Sequence, residues 1–481
     1  MTASRSEQAQ WTASMQYNEL GQEIERILPG DVISKWQYDI TGRPTHHRVS
    51  SQSRDTRRRA YNWDVNHQLR SMVNELTGVK VTYGYDEFSN LVWANQDSRQ
   101  FDFLYRSVDD VGNLYETKDK KDRVYGAGSR LLETKDAKFS YDEEGNLVEK
   151  VEHSGDTWKY EYYGNGMMAK VIKPDMTEVT FKYDTLGRRI EKCSEGRATY
   201  FVWDGNTILH EYFLQDDSVE NASKTEAEIA DNLVTWVFND GFVPSAKITS
   251  EGNYSIISDY LGTPVEAYDE QGHKVWSAEL DVYGRVKEFT GQQDFIPFRY
   301  QGQYEDVEIG LYYNRFRYYD PVQRNYTQVD PIGLAGGNPT LYGYVRDTNN
   351  DIDKFGLYSD LLDRGIGHHL MPKSIANALG ITELGQINSI SWYPNEGTGT
   401  AELHKKMHRK LIEAGIPYRG STFTGTTDEF FEKAAKAYKD IDVKGYLKIP
   451  YTKEKLFKDL TPAEALEKLK ELNSNGKIPC K

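Results

Sequence analysis

The sequence predicts a mainly β chain, an array of stacked hairpins followed by a small α+β domain, and three observations carry that prediction. A Tyr-Asp phrase recurs along the chain up to about residue 330. Tyrosine and charge both divide near residue 358: 28 of the 34 Tyr lie in 1–357 and 6 in 358–481. The first 357 residues carry 40 Lys+Arg against 58 Asp+Glu, net −18, whereas 358–481 carry 19 against 16, net +3. Beyond 358 the apolar period also lengthens from two to the helical spacing. With 481 residues, 38% hydrophobic and 28% charged, the chain is too long for one ordinary domain. It lacks the roughly 18 to 20 consecutive apolar residues of a membrane helix, and its first residues, MTASRSEQAQWTASMQ, lack the apolar core of a signal peptide. Neither a membrane span nor an export signal of its own is therefore expected. Cys193 and Cys480 cannot form a disulfide framework or a cysteine-built metal site, so any metal must be held by His, Asp or Glu. The overall charge of −15 argues against nucleic acid as a partner, but the basic tail taken alone does not.

After an N-terminal segment (1–29), the repeat phrases run WQYDITGRP at Tyr38-Asp39, YNWDVNHQL at Trp63-Asp64, YGYDEFSNL at Tyr85-Asp86 and DDVGNL at Asp110. FSYDEEGNL at Tyr141-Asp142, FKYDTLGRR at Tyr183-Asp184, FVWDGN at Trp203-Asp204 and ELDVYGR ending at Arg285 continue the series. Clean copies lie about 20 to 25 residues apart, room for two short strands and their turns. In Glu178-Val-Thr-Phe-Lys-Tyr183 apolar and polar side chains alternate as in a half-buried strand. Asp184-Thr-Leu-Gly187 then reverses the chain, Asp bonding the backbone ahead and Gly supplying a positive φ. One hairpin cannot bury its own face, so neighbouring copies must stack.

These phrases resemble the YD repeats of the Rhs and wall-associated families, the toxin-complex C subunits and the teneurins. The resemblance covers about residues 30–329 and is sharpened by YLGTPVEAYDEQG and by FRYQGQYEDVEIGLYYNRFRYYDPVQRNYTQVDPIGLAGG, which is similar to the Rhs core terminus. It implies a hollow β shell enclosing the protein's own C-terminal effector. Such shells have more repeats, so this stretch is not expected to close one alone.

Residues 330–357 form the hinge. Asp330-Pro331-Ile332-Gly333 and Asp353-Lys354-Phe355-Gly356-Leu357 flank a short connection. In Rhs-like proteins two such phrases form a self-cleaving aspartyl pair, and the resemblance implies cleavage after Leu357. Two close carboxyls that cannot both ionise can activate water. Here Lys354 stands where Pro is usual, and the connection is one residue longer. The alternative is that Asp330 merely opens a turn and Asp353 lies in the polar loop DTNNDID.

The tail, 358–481, holds four of the ten His, as His368-His369 and His404 with His408. Adjacency alone is weak, since His46-His47 in the array suggests no site. Thr400 to Ala414 reads as a helix, with Thr400 as cap, Leu403, Met407 and Leu411 as the apolar row and Gly415 as terminator. His404 and His408 then share one face and could grip a divalent ion. With Asn395 in a Gly-rich turn, this order is similar to the His-Me finger (HNH-like) nucleases, and more narrowly to the GHH and AHH toxin nucleases. That resemblance implies His369 as general base, Asn395 as the group orienting its ring, and His368, His404 and His408 as ligands of one divalent metal (Zn, Mg, Ni or Mn). His368 and His369 could exchange roles. Lys373, Lys405, Lys406, Arg409 and Lys410 could neutralise phosphates, or simply aid solubility. Trp392 and Tyr393 either stack on a base or belong to the core. Downstream, Asp428 to Tyr438 reads as an amphipathic helix, and Thr461-Pro-Ala-Glu464 as a capping box opening another.

Two functions follow. The first is an Rhs-type toxin whose tail hydrolyses nucleic acid, DNA favoured over RNA, in a competing cell. It would be delivered by a dedicated secretion system, held in the producer's cytoplasm before export, and restrained by a cognate immunity protein, with a longer Rhs shell as a further partner. The second is an adhesive repeat protein with an inactive or receptor-binding tail.

Overall fold

The computed structural model describes residues 1–6, 9–87, 89–97, 102–109, 111–215, 222–239, 241–336, 338, 340–357, 391–394, 406–407, 409–411, 413–416, 426–448 and 455–474. The chain divides into two compact units, Met1–Leu334 with Asn338–Tyr358, and Ala335–Gly337 with Ser359–Lys481.

Among its described residues the first unit is almost wholly antiparallel sheet. A nine-stranded sheet runs from Ser14–Tyr17 to Asp102–Tyr105, and a sixteen-stranded sheet from Arg123–Tyr125 to Val286–Thr290. In both, each strand pairs with its neighbour in sequence. The repeats thus join edge to edge into continuous ribbons, which leaves few free edges.

The Tyr-Asp phrase explains that continuity. Asp184 Oδ1 accepts the amides of Leu186 (2.9 Å) and Arg188 (2.8 Å), and Oδ2 accepts Arg188 Nε (2.6 Å). Gly187 closes the turn at φ 74°. Asp39 repeats the pattern with Thr41 and Arg43, and Asp142 with Asn146. In DDVGNL the turn residue is Asp109, not Asp110 as the phrase suggested: Asp109 Oδ1 accepts the amides of Val111 and Asn113. In several hairpins the aromatic just before the turn reaches backward, and Tyr162 does so ahead of a turn that has Tyr163 in the Asp position. Tyr85 Oη donates to Leu69 O, Tyr162 to Leu147 O and Tyr183 to Met168 O. Each acceptor is the first residue after the preceding turn. Trp63 and Trp203 do the same with Nε1, to Pro44 O and Arg189 O. Asp therefore builds its own turn while the aromatic ties it to the previous one, and any aromatic with a polar hydrogen at that reach serves.

The inner faces bury one large cluster that includes Leu131, Leu147, Val171, Phe181, Phe201, Trp236, Ile256 and Trp276. Tyr304, Leu311, Tyr313 and Tyr318 belong to the same cluster. They come from a four-stranded sheet, Tyr304–Asp306, Leu311–Asn314, Arg317–Asp320 and Asn325–Tyr326. The phrase LYYNRFRYYDP thus plugs the buried face of the ribbon. His47 is packing only: its ring stacks on Trp36 at 3.7 Å and its Nε2 lies 3.0 Å from Ser34 Oγ.

The second unit has a three-stranded sheet, Ser391–Pro394, Gly445–Lys448 and Lys455–Leu460, with helices Thr427–Tyr438 and Pro462–Ser474. Both helices open with the reciprocal Thr–Glu bonds of a capping box, Thr426 with Glu429 and Thr461 with Glu464. Its core joins Trp392, Met407, Leu411, Phe430, Phe431, Tyr438, Leu447 and Leu466. Among the described residues no helix is long and apolar enough to cross a membrane.

Candidate functional site

The four-stranded sheet also positions the hinge. Asn314, Phe316 and Arg317 follow one another round the turn between its second and third strands, and each holds the segment 353–356. Asn314 Nδ2 donates to Asp353 O (2.9 Å), Phe316 N to Phe355 O (3.2 Å) and Arg317 Nε to Gly356 O (2.5 Å). Gly356 sits at φ 65°, where a Cβ would lie 2.4 Å from Asn314 O. A side chain there is excluded both by backbone conformation and by space.

Arg317 brings the two predicted carboxyls together. Its Nη2 lies 2.9 Å from Asp330 Oδ2 and 3.6 Å from Asp353 Oδ2, and all three residues are buried. Asp353 is therefore not part of a solvated polar loop. Its Oδ1 accepts the amides of Leu357 (2.9 Å) and Phe355 (3.3 Å), and its Oδ2 accepts the Tyr326 hydroxyl (2.7 Å). Asp330 Oδ1 accepts Ile332 N at 3.0 Å. Burial pushes the Asp330 carboxyl above the usual carboxylate range, against the pull of the Arg317 guanidinium, and the neighbouring Asp353 charge pushes it the same way. The guanidinium itself rests on the Tyr326 ring, 3.7 Å from its centroid. The site can thus hold an unequal carboxyl pair beside the Leu357 backbone, in a place that burial shields from bulk water.

Arg317, Tyr326 and Asn314 were not singled out from sequence. Their signal was present, a cation and an amide inside an aromatic strand phrase, but the same phrase reads equally well as core.

In the second unit, Lys406, Met407, Arg409 to Leu411 and Glu413 are helical, with Met407 and Leu411 buried and Lys406 and Arg409 exposed. Gly415 follows at φ 74°, and Ile416 N bonds back to Leu411 O. Lys410 Nζ lies 3.4 Å from Asp440 Oδ2. Trp392 is core, its Nε1 bonded to Leu460 O. His368, His369, Lys373, Asn395, His404, Lys405 and His408 lie outside the described residues. Among the described residues no cluster of three His, Cys, Asp or Glu could hold a metal.

A shell-like ribbon of Tyr-Asp hairpins ending on a paired-carboxyl hinge defines a class, and the comparisons identify it. Residues 13–335 match the teneurin YD-shell family model, more than half of the chain, and the chain belongs to that family. Residues 364–477 match a second model, described as toxin protein PT1. Among curated relatives, double-stranded DNA deaminase toxin A of Burkholderia cenocepacia is 28% identical over 72% of this chain and 26% of its own length. Toxin protein Tse5 of Pseudomonas aeruginosa is 30% identical over 55% of this chain and 22% of its own. Probable deoxyribonuclease RhsB of Dickeya dadantii is 29% identical over 47% and 16%. The chain therefore spans about a quarter or less of the length of these relatives. The crystal structure of TcdB2-TccC3 aligns at a TM-score of 0.45 and 15% identity, over 73% of this chain and 20% of that one.

Proposed function

We propose that the chain is an Rhs-type toxin module: a YD-repeat wrapping that carries a nucleic-acid-acting C-terminal domain and cuts itself after Leu357. The observation that carries the reading is the meeting of Asp330 and Asp353 on one buried guanidinium, with Asp353 bonded to the Leu357 amide. Within a hydrolytic step, one carboxylate takes a proton from water as it attacks the Leu357 carbonyl carbon. The other carboxyl gives its proton to the departing amide nitrogen. Arg317 keeps both groups in register and offsets their mutual repulsion.

The target class rests on the relatives' names, which include a DNA deaminase toxin, deoxyribonucleases and tRNA nucleases, and on the basic balance of 358–481. The finer reading is a metal-dependent endonuclease of the His-Me finger type. His368, His404 and His408 supply imidazole nitrogens, a donor set suited to a borderline divalent ion, with His369 as base and Asn395 holding its ring. When bound, that ion would polarise the phosphate and stabilise the leaving oxygen. Lys406 and Arg409, both exposed, would neutralise backbone phosphates. A cognate immunity protein and delivery by a secretion system complete the reading.

Two measurements test it. The purified wild-type chain should separate into 1–357 and 358–481, and the Asp330→Asn chain should stay whole; an intact wild type overturns the release step. Residues 358–481, produced with an inhibitor and freed of it, should nick plasmid DNA only with a divalent ion, and His369→Ala should abolish nicking. Base changes without strand breaks would assign a deaminase instead.

A further inference from the structure

We propose that Tyr326 and Asn314 are positioning residues that give the two carboxyls unequal parts: Asp353 is the carboxylate that takes the proton from water, and Asp330 is the acid. The proposal rests on the self-cleavage reading above and deepens it.

The donors around the pair are not shared evenly. Asp353 receives hydrogens on both oxygens, from Tyr326 Oη (2.7 Å) on Oδ2 and from the Leu357 and Phe355 amides on Oδ1. Both Asp353 oxygens thus serve as acceptors of fixed donors, which holds the carboxyl group in one orientation. Among the described residues, Asp330 receives Ile332 N and Arg317 Nη2, the latter standing 3.6 Å from Asp353 Oδ2. The direction of the tyrosine bond is fixed by Asn314. Its Nδ2 donates to Tyr326 Oη at 2.7 Å, so the hydroxyl's single hydrogen is left to point at Asp353. The other hydrogen of the same amide goes to Asp353 O at 2.9 Å. One fully buried side chain therefore sets both the backbone of Asp353 and the donor on its carboxylate. The titratable and charged groups facing Asp353 are Arg317, Tyr326, Tyr344, whose hydroxyl accepts the Asp353 amide at 3.4 Å, and Asp330. Among the bonds described for these two carboxyls, only that from Tyr326 comes from a neutral side chain and reaches one aspartate and not the other.

The step balances. Water oxygen bonds to the Leu357 carbonyl carbon and its proton passes to Asp353. The proton on Asp330 passes to the nitrogen of residue 358 as that C–N bond breaks, leaving a carboxyl at Leu357 and an amine on the released domain.

The test uses the full chain from cell-free translation, stopped and then shifted into buffers from about pH 4.5 to 8.5, with the fragment ending at Leu357 followed by mass spectrometry. Tyr326→Phe keeps the ring beneath Arg317 and removes only the hydroxyl. Cleavage should slow about tenfold on the acid side, with the acid limb of the rate profile moved up by about one pH unit and rates near wild type recovered above it. Replacing Tyr326 with 3,5-difluorotyrosine, a stronger donor that preserves the packing, should move that limb the other way. A profile identical to wild type in both variants overturns the proposal, as does a slowing that is uniform at every pH. If the wild type itself stays whole while Asp330→Asn does too, the self-cleavage reading fails instead.

Discussion

At the scale of single residues, the plug is fastened by charges that the aromatic sequence conceals. Arg189 and Asp306 are both essentially inaccessible, with Nη1 2.5 Å from Oδ2, and Lys192 Nζ holds the other oxygen at 2.9 Å. Rings of Tyr313, Phe201 and Tyr304 lie 4.5 to 5.1 Å from the guanidinium carbon. Burial works against the Asp306 charge, yet the two cations hold its carboxyl below the ordinary range. Asp306→Asn leaves Arg189 buried without its counter-charge and should cost about 3–5 kcal/mol. The double change Arg189→Met with Asp306→Leu should cost clearly less than the sum of its parts, as read by urea denaturation of the chain kept whole by Asp330→Asn. Asp259 behaves oppositely: burial raises it to about 6, against the pull of the Thr263 amide and Arg57. A carboxyl raised on folding contributes stability that is complete below its unfolded value and is lost as pH rises through the folded one. Between pH 4 and about 6.5 the Asp259→Asn chain should therefore show a flatter melting temperature than its parent, while its Oδ1 still accepts the turn amides. An unchanged slope would show that Asp259 titrates normally.

At the scale of the element, most of the repeat region was legible because its signals are local. The period of two in Glu178–Tyr183 and the Asp-x-x-Gly turns each act within a few residues, as does the Thr461–Glu464 cap in the tail, and each formed where the pattern lay. DDVGNL went wrong by one residue because adjacent aspartates offer the same local chemistry, and only the register to Asn113 chooses between them. The backward reach of Tyr and Trp was hidden, since it spans a whole hairpin. These two bonds can be separated. Asp184→Ala should cost about 1–2 kcal/mol by freeing two turn amides and Arg188, whereas Tyr183→Phe should cost about 1 kcal/mol or less while raising amide exchange at Met168 and its neighbours. Tyr183→Trp should restore the protection, because Trp203 already makes that contact to Arg189 O. Failure of tryptophan to restore it would mean the two residue types are not interchangeable ties.

At the scale of the whole molecule, the hinge chemistry depended on residues brought together over long stretches. Asp330 and Asp353 could be named from their phrases, but the guanidinium joining them comes from Arg317, and only the folding of 304–326 into the ribbon puts it there. The tail is the converse case, with its supporting helices and core legible while His368, His369, Asn395, His404 and His408 remain proposals. Charge supplies a prediction that needs none of their geometry. Residues 1–357 carry −18 and 358–481 carry +3, so the proposed separation would free the tail from a chain that repels any polyphosphate. At low salt, the released domain should bind a short DNA duplex well below the concentration needed by the uncleaved Asp330→Asn chain. Raising salt from about 50 to 200 mM should weaken the released domain steeply, as counterion release requires when several phosphates are neutralised. Lys406→Gln and Arg409→Gln should each lower that salt slope by about one. Fluorescence anisotropy across a salt series measures both quantities, and a released domain that binds no better than the intact chain would separate its charge from its function.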